Sequence, residues 1–142
     1  MKRHPALVRL SREHHHALAL AKRAQRAGGE SNDFHTRLAA EIVDAFEREI
    51  EGHFQREESS LLPALREAGE IMPVERTLSD HAVLRELVSW FASGDTLCLN
   101  MFGDLLAAHV RFEEQKLFPL AEAVFTPELL SRIEQELLKS KP

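Results

Sequence analysis

The chain has no tyrosine, one cysteine and one tryptophan, and only six glycines and six prolines in 142 residues. Cys98 stands alone, so no intramolecular disulfide can form, which suits a reducing cytoplasm. Without tyrosine, the commonest side chain for a stored radical is missing. No apolar run approaches the roughly 20 residues of a membrane span. The opening MKRHP lacks the apolar core of a signal peptide, and a cytoplasmic setting is expected. A formal net charge of -5 gives no reason to invoke nucleic acid or an anionic membrane. The 44% hydrophobic content is enough for one core, and residues 1–142 are expected to form a single domain.

What is present is a phrase written twice. HFQREESSLLP, from His53 to Pro63, returns as HVRFEEQKLFP, from His109 to Pro119. Both read H-x-x-x-E-E-x-x-L-[L/F]-P. On an α-helix, positions i and i+4 share a face with their Cβ atoms about 5–6 Å apart. Each copy therefore offers an imidazole and a carboxylate to one point. Phe46 and Ile50 before His53, and Phe102 and Leu106 before His109, put these pairs on an apolar, core-facing stripe. Buried carboxylates are rare unless paired or bound to a metal, so His53, Glu57, His109 and Glu113 are candidate ligands.

Two further histidines share this placement. His14 has Leu7, Leu10, Leu18 and Ala21 at helical spacing, and His81 has Leu78, Leu84 and Val88. A lone histidine on an apolar face ordinarily just finds a hydrogen-bond partner. Four of them in register with two glutamates point to a metal site. His15 falls toward a neighbouring helix as an interhelical residue or an outer partner of a ligand, His16 lies at a helix edge, and His4 and His35 read as surface residues. Glu58 and Glu114 stand one residue past the candidate ligands, about 100° around the helix, where a solvated or interhelical charge is the ordinary outcome. Glu58 is also weighed as an additional oxygen donor.

The remaining pattern is helical throughout. A first helix starts at Pro5 and stops at Gly28-Gly29. A second runs from Phe34, behind caps at Ser31 to Asp33, to about Arg66, with Pro63 ending or kinking its last turns. Gly69 through Pro73 reads as a connection. The third helix runs to about Ser93, Gly94-Asp95 breaks it and opens the fourth, and Thr126-Pro127-Glu128 starts a short tail helix over about 127–139. Short links favour an all-α, up-down-up-down four-helix bundle over about 5–125.

Other metal patterns fail on spacing. Ferritin-like bundles place glutamate three residues before histidine, and the zincin H-E-x-x-H is absent. One cysteine excludes the common structural zinc sites. Imidazoles with carboxylates suit iron, with zinc or manganese as substitutes.

The set resembles the hemerythrin-like family of HHE cation-binding proteins. The resemblance rests on Glu13-His14 with Ala17-Leu18, His53-Phe54 with Glu57-Glu58, Asp80-His81 with Leu84, and His109 with Glu113-Glu114 and Leu117-Phe118-Pro119. It implies two iron ions, oxo- or hydroxo-bridged, inside a four-helix bundle. His14 and His53 would then serve one iron and His81 and His109 the other, with Glu57 and Glu113 bridging. Oxygen-carrying hemerythrins have one more histidine on the third helix. Here the candidate places are Thr77 and Arg85, which leaves one iron an exchangeable position and speaks against reversible oxygen carriage. The resemblance implies interaction with O2, NO or peroxide in sensing, redox chemistry or iron homeostasis. The alternatives are a di-iron enzyme, such as a peroxidase or a nitrosative-stress repair protein, and an iron store or donor. A sensor of this length would signal through a protein partner.

Overall fold

The computed structural model describes residues 2–139, so the ends of the expected 1–142 domain lie outside the described residues. Five helices make up the fold, with no strand among the described residues. α1 is Pro5–Gln25, followed by a short 3-10 turn at Ala27–Gly29. His4, expected at the surface, is half-buried and caps α1, its Nδ1 accepting from the Ala6 N–H at 3.0 Å.

α2 covers residues 32–67 without a break. Its α-helical stretches Asn32–Ala45, Glu51–Arg56 and Leu62–Glu67 are joined by π-helical turns at Phe46–Ile50 and Glu57–Leu61. Ser31 caps it, accepting from the Phe34 N–H at 3.1 Å. The helix runs past Pro63 to Glu67, close to the expected end near Arg66. In the π turn before Pro63, the Leu62 N–H reaches back to the carbonyl of Glu57. That wide turn offsets the carbonyls from the proline ring that an α-turn would drive them into. The second copy of the repeat does the same: the Phe118 N–H bonds to Glu113 ahead of Pro119. Both wide turns open at the glutamate of H-x-x-x-E.

α3 is Ile71–Ala92. It begins inside the stretch expected to be a connection, because Pro73 falls in the first turn, where a missing N–H costs nothing. Gly69, with φ of 91°, closes α2 by letting the Glu70 N–H reach the Leu65 carbonyl at 3.0 Å. α4 covers residues 99–124, as Leu99–Phe112, a π turn at Glu113–Leu117, and Phe118–Val124. It starts later than Gly94-Asp95 suggested, since the Asp95 carboxylate accepts the Leu97 N–H at 3.0 Å and holds a turn. α5 is Pro127–Lys139, capped as expected by Thr126, whose Oγ1 accepts from Leu129 at 3.1 Å.

Two apolar clusters divide the bundle. One joins the start of α1, the end of α2, Val74 near the start of α3, the end of α4 and the inner face of α5, with Leu7, Leu10, Leu65, Phe118 and Ile133 at its centre. The other joins the opposite ends of α1 to α4, with Ala21, Ile42, Leu84, Phe102 and Leu106. Between them lies the buried polar layer formed by His14, His53, Glu57, His81, His109 and Glu113. No described helix is long and apolar enough to cross a membrane.

α1 and α4 approach closely at Gly103. A Cβ there would stand 2.6 Å from the Ala21 carbonyl oxygen and 2.8 Å from the Gln25 nitrogen. Both are backbone atoms, so one helix would have to move. Gly103→Ala should destabilise by about 1–3 kcal/mol, more than the roughly 1 kcal/mol alanine gains in helix propensity. A thermal melt matching the parent's would contradict the close approach.

Candidate metal centre

The six sequence-selected side chains converge. His14, His53, Glu57 and Glu113 form one group, and Glu57, His81, His109 and Glu113 another; within each, the ligand atoms lie within 4.8 Å of one another. The two carboxylates are common to both groups. Glu57 places Oε2 3.1 Å from His53 Nε2 and Oε1 3.1 Å from His81 Nε2. Glu113 places Oε1 2.8 Å from His14 Nε2 and 3.6 Å from His53 Nε2, and Oε2 3.2 Å from His109 Nε2. All six are buried, both glutamates completely.

The outer nitrogens follow one rule around the bundle. Glu13 of α1 accepts from His53 Nδ1 of α2 at 2.9 Å, and Glu58 of α2 from His81 Nδ1 of α3 at 2.7 Å. Asp80 of α3 accepts from His109 Nδ1 of α4 at 3.0 Å, and Glu114 of α4 returns to His14 Nδ1 of α1 at 2.6 Å. Each helix thus holds the histidine of the next by a carboxylate adjacent in sequence to its own inward residue. A carboxylate on Nδ1 fixes the ring and leaves Nε2 to face inward, as second partners of metal-binding histidines do. Arginines hold three of these carboxylates in turn. Arg56 donates to Glu13 at 2.5 Å, Arg85 to Glu58 at 2.9 Å, and Arg3 to Glu114 at 3.1 Å.

Aromatic rings wall the layer. Phe54 stacks on His81 with centroids 3.8 Å apart and meets His109 edge-on, while Phe118 stacks on His14 at 5.5 Å. Thr77, one turn before His81, is fully buried, and its hydroxyl donates to the Pro73 carbonyl at 2.9 Å.

The inner atoms are chemically incomplete as hydrogen-bonding groups. His53 Nε2, His81 Nε2, His109 Nε2, both Glu57 oxygens and Glu113 Oε2 are buried with no hydrogen-bond partner among the described residues. Native interiors rarely leave one such atom, let alone several facing each other. Donors about 2.1 Å from one cation and at right angles would stand about 3.0 Å apart, close to the 3.1 and 3.2 Å separations here. The residues fit a bound cation pair.

The model of the hemerythrin HHE cation-binding domain matches residues 6–121. The chain belongs to that family. The search of curated proteins and the search of solved structures returned no match. Buried His/Glu clusters compatible with metal binding are what this HHE domain carries at its centre.

Of the residues singled out in the HHE domain's sequence, Glu58 and Glu114 lie on outer nitrogens rather than facing the centre. His15 is exposed, not an interhelical partner of a ligand, because the inward stripe of α1 passes through His14 and Ala17. His16 is exposed beside Glu49, and His35, expected at the surface, is half-buried against the Ala27 carbonyl at 2.5 Å. The H-x-x-x-E spacing assigns no role to Glu13 or Asp80. Their signal was position: each precedes an inward histidine by one residue.

Without a cation, protons take its place. Burial pushes the His109 imidazole down, but the Glu113 charge, Asp80 and Glu57 outweigh it and raise it to about 10. His53 and His14 are likewise raised against burial, by Glu57, Glu113 and Glu13 and by Glu113 and Glu114 respectively. Glu13 and Glu114 are held at about 2, burial being overcome by His53 and Arg56 and by His14 and Ser11. A raised histidine contributes stability that is complete below its unfolded value of 6.5 and is lost as pH rises through the folded value. A lowered carboxylate contributes above its unfolded value of 4.5 and loses this as pH falls toward 2. Metal-free protein should therefore melt highest between about pH 4.5 and 6.5 and progressively lower toward pH 10. Melts of chelator-treated protein check this, and a melting temperature rising over that alkaline range would contradict it.

Proposed function

We propose that this chain is a non-haem di-iron protein that interacts with O2, NO or peroxide, serving sensing, redox chemistry or iron homeostasis. His14 and His53 would hold one iron, His81 and His109 the other, and Glu57 and Glu113 would bridge them. The observation that carries the reading is the set of buried inner atoms that face one another without hydrogen-bond partners. When bound, the irons would supply redox chemistry and an exchangeable position for a small ligand. The side chains do the rest: Glu13, Glu58, Asp80 and Glu114 orient the imidazoles, and Phe54 and Phe118 keep bulk water off them. Iron suits this donor set, with zinc or manganese able to substitute. Thr77 and Arg85, the candidate places for the further histidine of oxygen carriers, are committed to the Pro73 carbonyl and to Glu51 and Glu58, which favours ligand sensing or redox work over reversible carriage.

The same reading takes the chain as one domain in a cytoplasmic setting, with the four long helices running up-down-up-down. The two apolar clusters, each gathering alternate starts and ends of successive helices, support that order. Output would pass through a protein partner. The test is the optical spectrum of anaerobically reduced, iron-loaded protein on adding O2, NO and peroxide separately. A distinct change with at least one is expected; an unchanged spectrum with all three would overturn the ligand-binding role.

A further inference from the structure

A cleft of about 510 Å³ lies between α1 and α2 and reaches the layer at His14, His53 and His109. A diatomic ligand needs on the order of the ~30 Å³ that a water molecule takes, so this space is more than tenfold too large for one. It lies within the ~300–1,000 Å³ of pockets that hold organic molecules. Its walls are apolar, formed by Ala17, Leu20, Ala45, Ile50, Leu106 and Val110. Its rim is basic. Arg23 and Arg48 line it while pairing with Glu41 and Asp44, neither of which lines the cleft. Arg12 lines it too, exposed and in no ion pair among the described residues, and the acidic rim residue Glu49 is taken up by His16. Glu13, deeper in, is committed to His53 and Arg56.

We propose that this cleft binds an amphiphilic monoanion, a medium-length alkyl chain carrying a carboxylate. The carboxylate sits at the Arg12 rim, and the chain runs between the apolar walls with its far end toward the His14, His53 and His109 rings. The orientation follows from charge: among the described lining residues Arg12, at the mouth, is the cation in no ion pair, whereas the deeper charges of Glu13 and Arg56 are paired with each other. The proposal rests on the di-iron reading only for what meets the inner end; the binding itself needs the walls and rim.

The experiment is calorimetric titration of the full chain with sodium decanoate, in iron-loaded and chelator-treated forms, with iron measured on the same samples. Saturable binding to both forms is expected. Decanol, which lacks the charge, should bind several-fold more weakly. Ala17→Phe, which fills the cleft from the α1 wall, should weaken decanoate at least tenfold, and Arg12→Glu several-fold. If Ala17→Phe fails to fold, Ala45→Phe, half-buried on the opposite wall, makes the same test. No saturable decanoate binding, or wall variants that bind as tightly as the parent, would overturn the proposal. A decanoate-induced change in the iron absorption that decanol does not give would overturn the orientation by putting the carboxylate at the floor. Decanoate binding by parent protein that takes up no iron on loading would uphold the cleft and sink the di-iron reading.

Discussion

Chelation should lower the melting temperature at neutral pH by about 10 °C. The interior holds four imidazoles and two completely buried carboxylates in one layer, and removing cations from such a set leaves groups whose desolvation is costly. A metal that binds only the folded state adds RT ln(1 + [L]/Kd), about 4 kcal/mol at a thousandfold excess over Kd. For a chain of this size each kcal/mol moves the melting temperature by about 3 °C. Two features limit the loss. Protons on His14, His53 and His109 partly replace the cations, as their raised values indicate, and the apolar clusters on either side of the layer are untouched. Helix content at low temperature should therefore persist while the melt shifts. Superimposable melts of iron-loaded and chelator-treated protein would return the six residues to a hydrogen-bonded polar core.

Replacing Glu113 or Glu57 by alanine should cost both metals together. Each glutamate presents one oxygen to either group, Glu57 between His53 and His81, Glu113 between the His14–His53 pair and His109. A single truncation therefore leaves both sites one donor short, and it also leaves the facing Nε2 atoms without an anion. Metal content per chain should fall at least tenfold, on the scale that loss of even an outer partner produces. His16→Ala, at an exposed ring beside Glu49, should leave it unchanged. Elemental analysis of the three variants decides the matter: a full complement in Glu113→Ala, or loss of one metal only, would contradict the shared-carboxylate geometry.

The inward set was legible because burial and helical period constrain the same residues. His14, with Leu7 and Leu10 on its face, and His53 and His109, each with a glutamate one turn on, could point nowhere but inward. The helix boundaries were less legible, since they depend on backbone bonds that periodicity does not carry. Pro63 reads as an end or a kink until the wide turn opening at Glu57 is seen to make room for it, as the one at Glu113 does for Pro119. Asp95 delays α4 through one side-chain bond. Gly103 looks like a weak point in a helix and is a contact between backbones. The ring of outer carboxylates was half-hidden for a different reason: Glu13 and Asp80 face histidines 40 and 29 residues away, and only the relative rotation of whole helices brings them together.

Anomalous X-ray diffraction at the iron edge, from crystals of aerobically purified protein, tests the central claim most directly. Two peaks per chain are expected, one between His14 and His53 and one between His81 and His109, with Glu57 and Glu113 reaching both. A single peak, or peaks elsewhere in the molecule, would contradict that claim.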